Sequence, residues 1–135
     1  MSRLQLTFGA LVLAQGAHSV EEYSGHLWES VPPARFLTSL VSSDLERGFI
    51  IISALLFAFG LWCLFWPVRR AWPAAVPLAW LWVAIEIVNG LGHPFWSLRA
   101  GGYTPGLATA PVLLLLAVYL ALQLRRPAHA PPTAI

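Results

Sequence analysis

Polar residues crowd the stretch Gln15-Gly-Ala-His18-Ser-Val-Glu21-Glu22-Tyr23-Ser-Gly-His26-Leu-Trp-Glu29, at the end of an apolar run that begins at Leu4. At about 100° per residue on a helical wheel, one quadrant collects five polar residues: Gln15, His18, Glu22, His26 and Glu29. Glu21 flanks this face at about −60° from His18. A charge at mid-membrane costs about 2.5–3.5 kcal/mol. We therefore expect the polar face to point inward and form a site.

The composition is that of a membrane protein. Of the 135 residues, 58% are hydrophobic and 10% are charged, against roughly 25% charged in soluble domains. The basic residues are arginines that occur singly or in pairs, without a basic stripe interleaved with aromatic residues. Nucleic acid is therefore excluded as a partner, and the lipid bilayer is the expected one.

The hydrophobic pattern predicts an all-α fold, a bundle of four transmembrane helices. Stretches of about 20 apolar residues are long enough to span a bilayer, and four qualify: about Leu4–Glu29, Leu45–Trp66, Pro73–Trp96 and Pro105–Leu124. The first is interpreted as a retained span because it has no small-residue cleavage site. These spans form one domain, residues 1–126. The Pro- and Ala-rich tail, 127–135, is predicted to be disordered.

The arginines predict the orientation. The side that holds both termini carries five: Arg3, Arg69, Arg70, Arg125 and Arg126. The other side carries three: Arg35, Arg47 and Arg99. The positive-inside rule then places both termini in the cytoplasm, as in a bacterial inner-membrane protein.

A second polar face lies on the third span. Glu86, Asn89 and His93 are spaced i, i+3, i+7 and so share one side of a helix. At about 1.5 Å per residue, His18 lies about 21 Å into the first span and Glu86 about 18 Å into the third. Because these two spans run in the same direction, the faces are predicted to meet in the non-cytoplasmic half of the membrane.

Imidazoles with carboxylates are typical ligands of zinc, iron and related divalent metals. The predicted ligands are His18, Glu22, His93 and Glu86, for one ion or two. Glu21 is the predicted general acid/base, and Glu86 is a ligand or a base. The alternative is that these polar groups pair with one another and only hold the helices together.

Two blocks of sequence resemble a known family. His18-Ser-Val-Glu21-Glu22-Tyr23 is similar to the signature of the HXXEE-domain family of small multi-span membrane proteins. Asn89-Gly-Leu-Gly-His93 and Tyr103-Thr-Pro105-Gly106, followed by Thr109, resemble its second block. The resemblance implies a membrane protein with a metal or catalytic centre. Within it, Tyr103 is a lid or a donor to substrate, and Thr109 faces the site from the fourth span.

Three functions remain open at this point. The first is a metal-dependent membrane enzyme that hydrolyses, isomerises, cyclises or oxidises a lipid-like or other hydrophobic small molecule. Asn89, Tyr103, Thr109 and His26 are its predicted substrate-binding residues. The second is a metal-free acid/base isomerase, and the third is a protein that binds or transports a small molecule or an ion. Homo-oligomerisation is also open, because lipid-facing and subunit-facing apolar surfaces look alike in sequence.

Overall fold

A computed structural model describes residues 1–125 and confirms the all-helical fold. Within these residues there are α-helices, one π-helical turn and no strand. The helices are α1 (Arg3–Ser24), α2 (Leu27–Ser30), α3 (Pro32–Val41), α4 (Leu45–Cys63), α5 (Ala75–Ala100) and α6 (Ala110–Arg125). The π-helical turn, Leu64–Val68, follows α4 directly. The predicted tail, 127–135, lies outside the described residues.

Helix α1 ends earlier than the sequence pattern predicts. Gly25 is its C-cap, and His26 has a left-handed backbone with φ 54°. The loop that precedes α6 packs directly on this turn. A Cβ on Gly25 would overlap the ring of Pro105 in that loop, so the turn requires glycine here. The prediction of one helix to Glu29 is therefore wrong, and α2 starts in a new direction.

The helix boundaries of α3 and α4 follow local chemistry. Pro32 opens α3, where the missing proline N–H has no helical partner to lose. The buried side of α3 approaches α4 so closely that a Cβ on Gly48 would overlap the Thr38 carbonyl. Helix α4 is capped by Asp44, which accepts from the Arg47 N–H at 3.1 Å.

The long helices pack around one core, and they contact each other least along the seam between α4 and α5. Helix α6 lies against both α1 and α5, and α4 packs on α1 and α3. The core holds Phe8 and Trp82, whose rings meet edge to face with centroids 5.9 Å apart. Helix α5 packs chiefly on α6 and meets the π-helical turn after α4. The side between α4 and α5 is therefore the least closed of the four.

Two segments are long and apolar enough to cross a membrane. They are Leu45–Val68, which joins α4 to the π-helical turn, and α5, Ala75–Ala100. Helix α6 is apolar but has only 16 residues. Two of the four predicted spans therefore meet the criteria of length and composition.

Candidate functional site

Three buried side chains from α1 and α5 converge on one point. Nε2 of His18 lies 3.0 Å from Nε2 of His93. One oxygen of Glu22 lies 3.2 Å from each of these nitrogens. His18 and Glu22 are one helical turn apart on α1, and the predicted facing of α1 and α5 brings His93 to them. We call these three residues the His–Glu–His trio.

The spacing within the trio suits one metal ion. Ligand atoms of a tetrahedral ion with bonds of about 2.0–2.1 Å lie roughly 3.3 Å apart. The three observed separations are 3.0, 3.2 and 3.2 Å. All three residues are buried. The trio could therefore hold an ion with little movement and leave further coordination positions open.

A hydrogen bond to Thr109 orients the His18 ring and determines which tautomer of the neutral imidazole fits. The Thr109 hydroxyl donates its only proton to the Glu21 carboxylate. It therefore accepts from Nδ1–H of His18, 2.6 Å away. A neutral His18 with a proton on Nδ1 has a lone pair on Nε2, the atom that faces the trio. Two electron-pair donors, Nε2 of His18 and the Glu22 oxygen, then face each other and need a proton or a cation between them.

Glu21 holds the segment before α6 against α1. Its carboxylate accepts from the Tyr103 hydroxyl at 2.6 Å and from the backbone N–H groups of Ala108 and Thr109 at 3.0 and 2.9 Å. With the Thr109 hydroxyl, four donors converge on it. The hydrogen bond to Glu21 raises the pKa of Tyr103, because ionised Tyr103 could no longer donate it. Glu21 therefore connects the His18–Tyr23 block of the sequence to the Tyr103–Thr109 block through hydrogen bonds.

Gly106 makes room for His93. Its φ is 96°, a backbone conformation that L side chains rarely adopt. A Cβ at this position would overlap the His93 ring. The sequence pattern predicted that the fourth span begins at Pro105, whereas α6 begins at Ala110. Ser97 and Thr104 anchor the same loop to α5 through hydroxyl groups 2.7 Å apart.

Glu86 lies beside the trio but outside it. It is fully buried and accepts from the Asn89 side-chain amide at 3.2 Å. The Gln15 amide satisfies its neighbours when its nitrogen faces Glu86, 2.9 and 3.1 Å from the two oxygens. The structure therefore places Glu86 in an amide cluster with Gln15 and Asn89 and does not bring it to the other expected metal ligands.

The other predicted substrate-binding residues have different positions. Asn89 lines a cavity beside the trio. Thr109 contacts His18 from the turn before α6, and Tyr103 reaches Glu21 with a largely exposed ring. His26 lies away from the trio, its side chain 59% exposed and 4.0 Å from Glu29. The left-handed turn at His26 is the reason, because it breaks the helical face that His26 was predicted to share with His18.

The cavity beside the trio has a volume of about 310 Å³ and lies between α1, α3, α4 and α5. Most of its polar lining comes from Glu22, His93, Gln15, Ser19 and Asn89, with Thr38 and Ser53 from α3 and α4. Sequence reasoning missed Ser19, which lies within the HXXEE stretch, and Gly92, whose missing side chain leaves space for the cavity. The only feature of the sequence that could have indicated the role of Gly92 is its position directly before His93, a predicted metal ligand.

Comparisons with known proteins identify the family. No curated protein and no solved structure matches the chain. A family model described as "Protein of unknown function with HXXEE motif" matches residues 9–120, which include the trio, Glu21 and the 103–109 segment. The chain therefore belongs to the HXXEE family, and His18, Glu21 and Glu22 are the residues of its motif.

Proposed function

We propose that this protein is a metal-dependent integral membrane enzyme that acts on a lipid-like or other hydrophobic substrate. The observation that carries the proposal is the His–Glu–His trio with the tautomer of His18 fixed by Thr109. Two imidazoles and one carboxylate are the protein ligands of many catalytic zinc sites and of non-haem iron sites. The proposed metal is accordingly one divalent zinc or iron ion.

The surface of the helices supports a membrane location. Only 22% of the most apolar window of Leu45–Val68, and 33% of that of α5, is buried inside the protein. A core helix of a soluble protein would be mostly buried. Apolar side chains also face outward on the other two proposed spans, α1 and α6. Leu13 of α1 is 65% exposed and Leu115 of α6 is 72% exposed. We propose four spans, with both termini in the cytoplasm and the trio in the non-cytoplasmic half.

The residues of the site have different proposed roles. A divalent ion at the trio would polarise a substrate oxygen or activate water. His18, Glu22 and His93 would hold this ion. Glu21 orients His18 through Thr109, a role that the geometry favours over the acid/base role expected from sequence. Glu86 fixes the amides of Gln15 and Asn89, which face the cavity and are placed to hold a polar substrate group.

The experiment uses the purified chain in vesicles of bacterial membrane lipid, loaded with zinc or ferrous iron. Lipid extracts are compared by mass spectrometry over time for the wild type, His93→Ala and His26→Ala. We expect one lipid species to decrease and a product to appear with the wild type and His26→Ala, but not with His93→Ala. Identical lipid profiles for the wild type and His93→Ala would contradict the proposal.

A further inference from the structure

We propose that the cavity beside the trio binds a lipid with a single hydrocarbon chain and an anionic oxygen head, which enters sideways from the bilayer between α4 and α5. The inference rests on the proposed membrane location and metal site. It adds the class of substrate and its path of entry.

The cavity has the polarity of such a molecule. Most of its polar lining is on α1 and α5, where Glu22 and His93 of the trio meet Gln15, Ser19 and Asn89. The hydroxyl side chains of Ser53 on α4 and Thr38 on α3 also line it, and the Thr38 hydroxyl donates to backbone carbonyls of its own helix. The opposite walls are mainly apolar, with Leu37, Phe49, Ile52, Leu56, Ile85 and Val88 from α3, α4 and α5. A head group would therefore lie at the trio and a hydrocarbon chain along α4 and α5.

The open seam gives the path. Helix α6 closes the bundle between α1 and α5, and α4 closes its own side against α1. Residues of both α4 and α5 line the cavity at the remaining seam, among them Leu56 and Val88. Val88 is 70% exposed and therefore lies at the mouth. An opening between two helices with membrane-spanning character faces lipid and not water.

Helix α3 covers one end of the cavity. Its contribution to the cavity lining is Ala34, Leu37 and Thr38. On its outer side, Phe36 is 63% exposed and Leu40 is 67% exposed. An amphipathic helix with an apolar outer side is typical of a membrane interface. With α3 at the interface, the remaining entrance is the lateral one.

The size and charge narrow the ligand. A volume of about 310 Å³ is near the lower limit of small-molecule pockets, roughly 300–1,000 Å³, and so favours one chain over two. Glu22 contributes a single negative charge to the trio, and neutral imidazoles contribute none. A divalent ion held there keeps a positive charge, which attracts an anionic head such as a carboxylate.

The test is photolabelling of the metal-loaded chain in vesicles with a long-chain fatty acid that carries a diazirine at the chain end. Labelled residues are mapped by mass spectrometry. We expect label on Ile52, Leu56 and Val88, and unlabelled fatty acid should displace it. Exposed Leu115 on α6 reports ordinary lipid contact. Label on the cavity residues no higher than on Leu115, or not displaced, would overturn the inference.

Two variants close the cavity. Gly92→Phe places a ring where a Cβ meets open space in the described part of the chain, and Gly92→Ala is its matched control. Val88→Trp narrows the exposed mouth without touching the core. We expect both large substitutions to reduce cavity labelling at least tenfold, with Gly92→Ala and Leu115→Phe unchanged. Undiminished cavity labelling in both large variants would overturn the inference.

Metal content, measured on the same samples, separates the two proposals. A wild-type chain that holds metal but shows no cavity labelling refutes the lipid site alone. A chain that labels in the cavity but never holds metal refutes the metal-dependent function and leaves the lipid site supported.

Discussion

The Thr109 hydroxyl lies 2.6 Å from Nδ1 of His18, although 91 residues separate the two in the chain. The same hydroxyl donates to Glu21, three residues after His18. A hydrogen bond on the far nitrogen fixes the tautomer and the orientation of a metal-binding histidine. This relationship makes the turn before α6 a part of the proposed metal site.

Thr109→Val is predicted to weaken metal binding. Valine has nearly the same shape but cannot accept from His18 or donate to Glu21, and loss of such a supporting group typically costs about 10–100-fold in metal affinity. Thr109→Ser keeps the hydroxyl and should bind as the wild type does. Competition with a chromophoric zinc chelator measures the affinities. Equal affinities for Thr109→Val and Thr109→Ser would refute the role of the hydroxyl.

The two buried glutamates are predicted to behave differently. Glu22→Gln should abolish or strongly weaken zinc binding, because it removes the only carboxylate of the trio. Glu86→Gln should retain one ion per chain, because Glu86 contacts Gln15 and Asn89 and lies outside the trio. Zinc stoichiometry after gel filtration distinguishes the variants. Loss of the ion in Glu86→Gln, with a folded chain, would restore Glu86 as a ligand.

Gly106→Ala is predicted to displace His93. The added methyl group overlaps the imidazole and also occupies a left-handed backbone conformation, which alone costs about 1–2 kcal/mol. We expect a lower melting temperature and loss of the metal. Gly102→Ala is the matched control, since a Cβ there meets open space in the described part of the chain. Similar melting temperatures and metal contents for the two variants would show that Gly106 is not needed for the site.

Tyr103 is predicted to ionise above the ordinary tyrosine pKa of about 10, because its proton is shared with the Glu21 carboxylate. The raised pKa means that this contribution to stability is complete below about pH 10 and is lost as the pH rises further. Ultraviolet titration of the wild type minus Tyr103→Phe isolates this residue. Glu21→Gln should lower its titration midpoint, and an unchanged midpoint would argue against the hydrogen bond.

The sequence predicts the polar faces well because helical periodicity determines which side chains share a side. His18 and Glu22 on α1, and Asn89 and His93 on α5, face each other as the wheel and the depth count indicate. The prediction for His26 is wrong because α1 ends at Ser24 and His26 has a left-handed backbone, so the helical periodicity does not extend to it. That turn depends on packing against Pro105, a contact between distant parts of the chain that no local pattern contains.

The roles of the carboxylates could not be separated from sequence. Glu21, Glu22 and Glu86 are all acidic residues near predicted imidazoles, and spacing alone makes each a ligand or a base. Their roles diverge through the fold: the loop before α6 reaches Glu21, and Gln15 meets Glu86 across the bundle. Tyr103 and Thr109 came only from the family resemblance, because they lie in a loop without periodicity.

Whether the trio binds a metal ion is measured by elemental analysis of the purified wild-type chain after loading with zinc or ferrous iron and removal of free metal. We expect about one ion per chain, loss of the ion in His18→Ala and in His93→Ala, and retention in His26→Ala. A wild-type chain without bound metal, or equal metal content in the wild type and both trio variants, would contradict it.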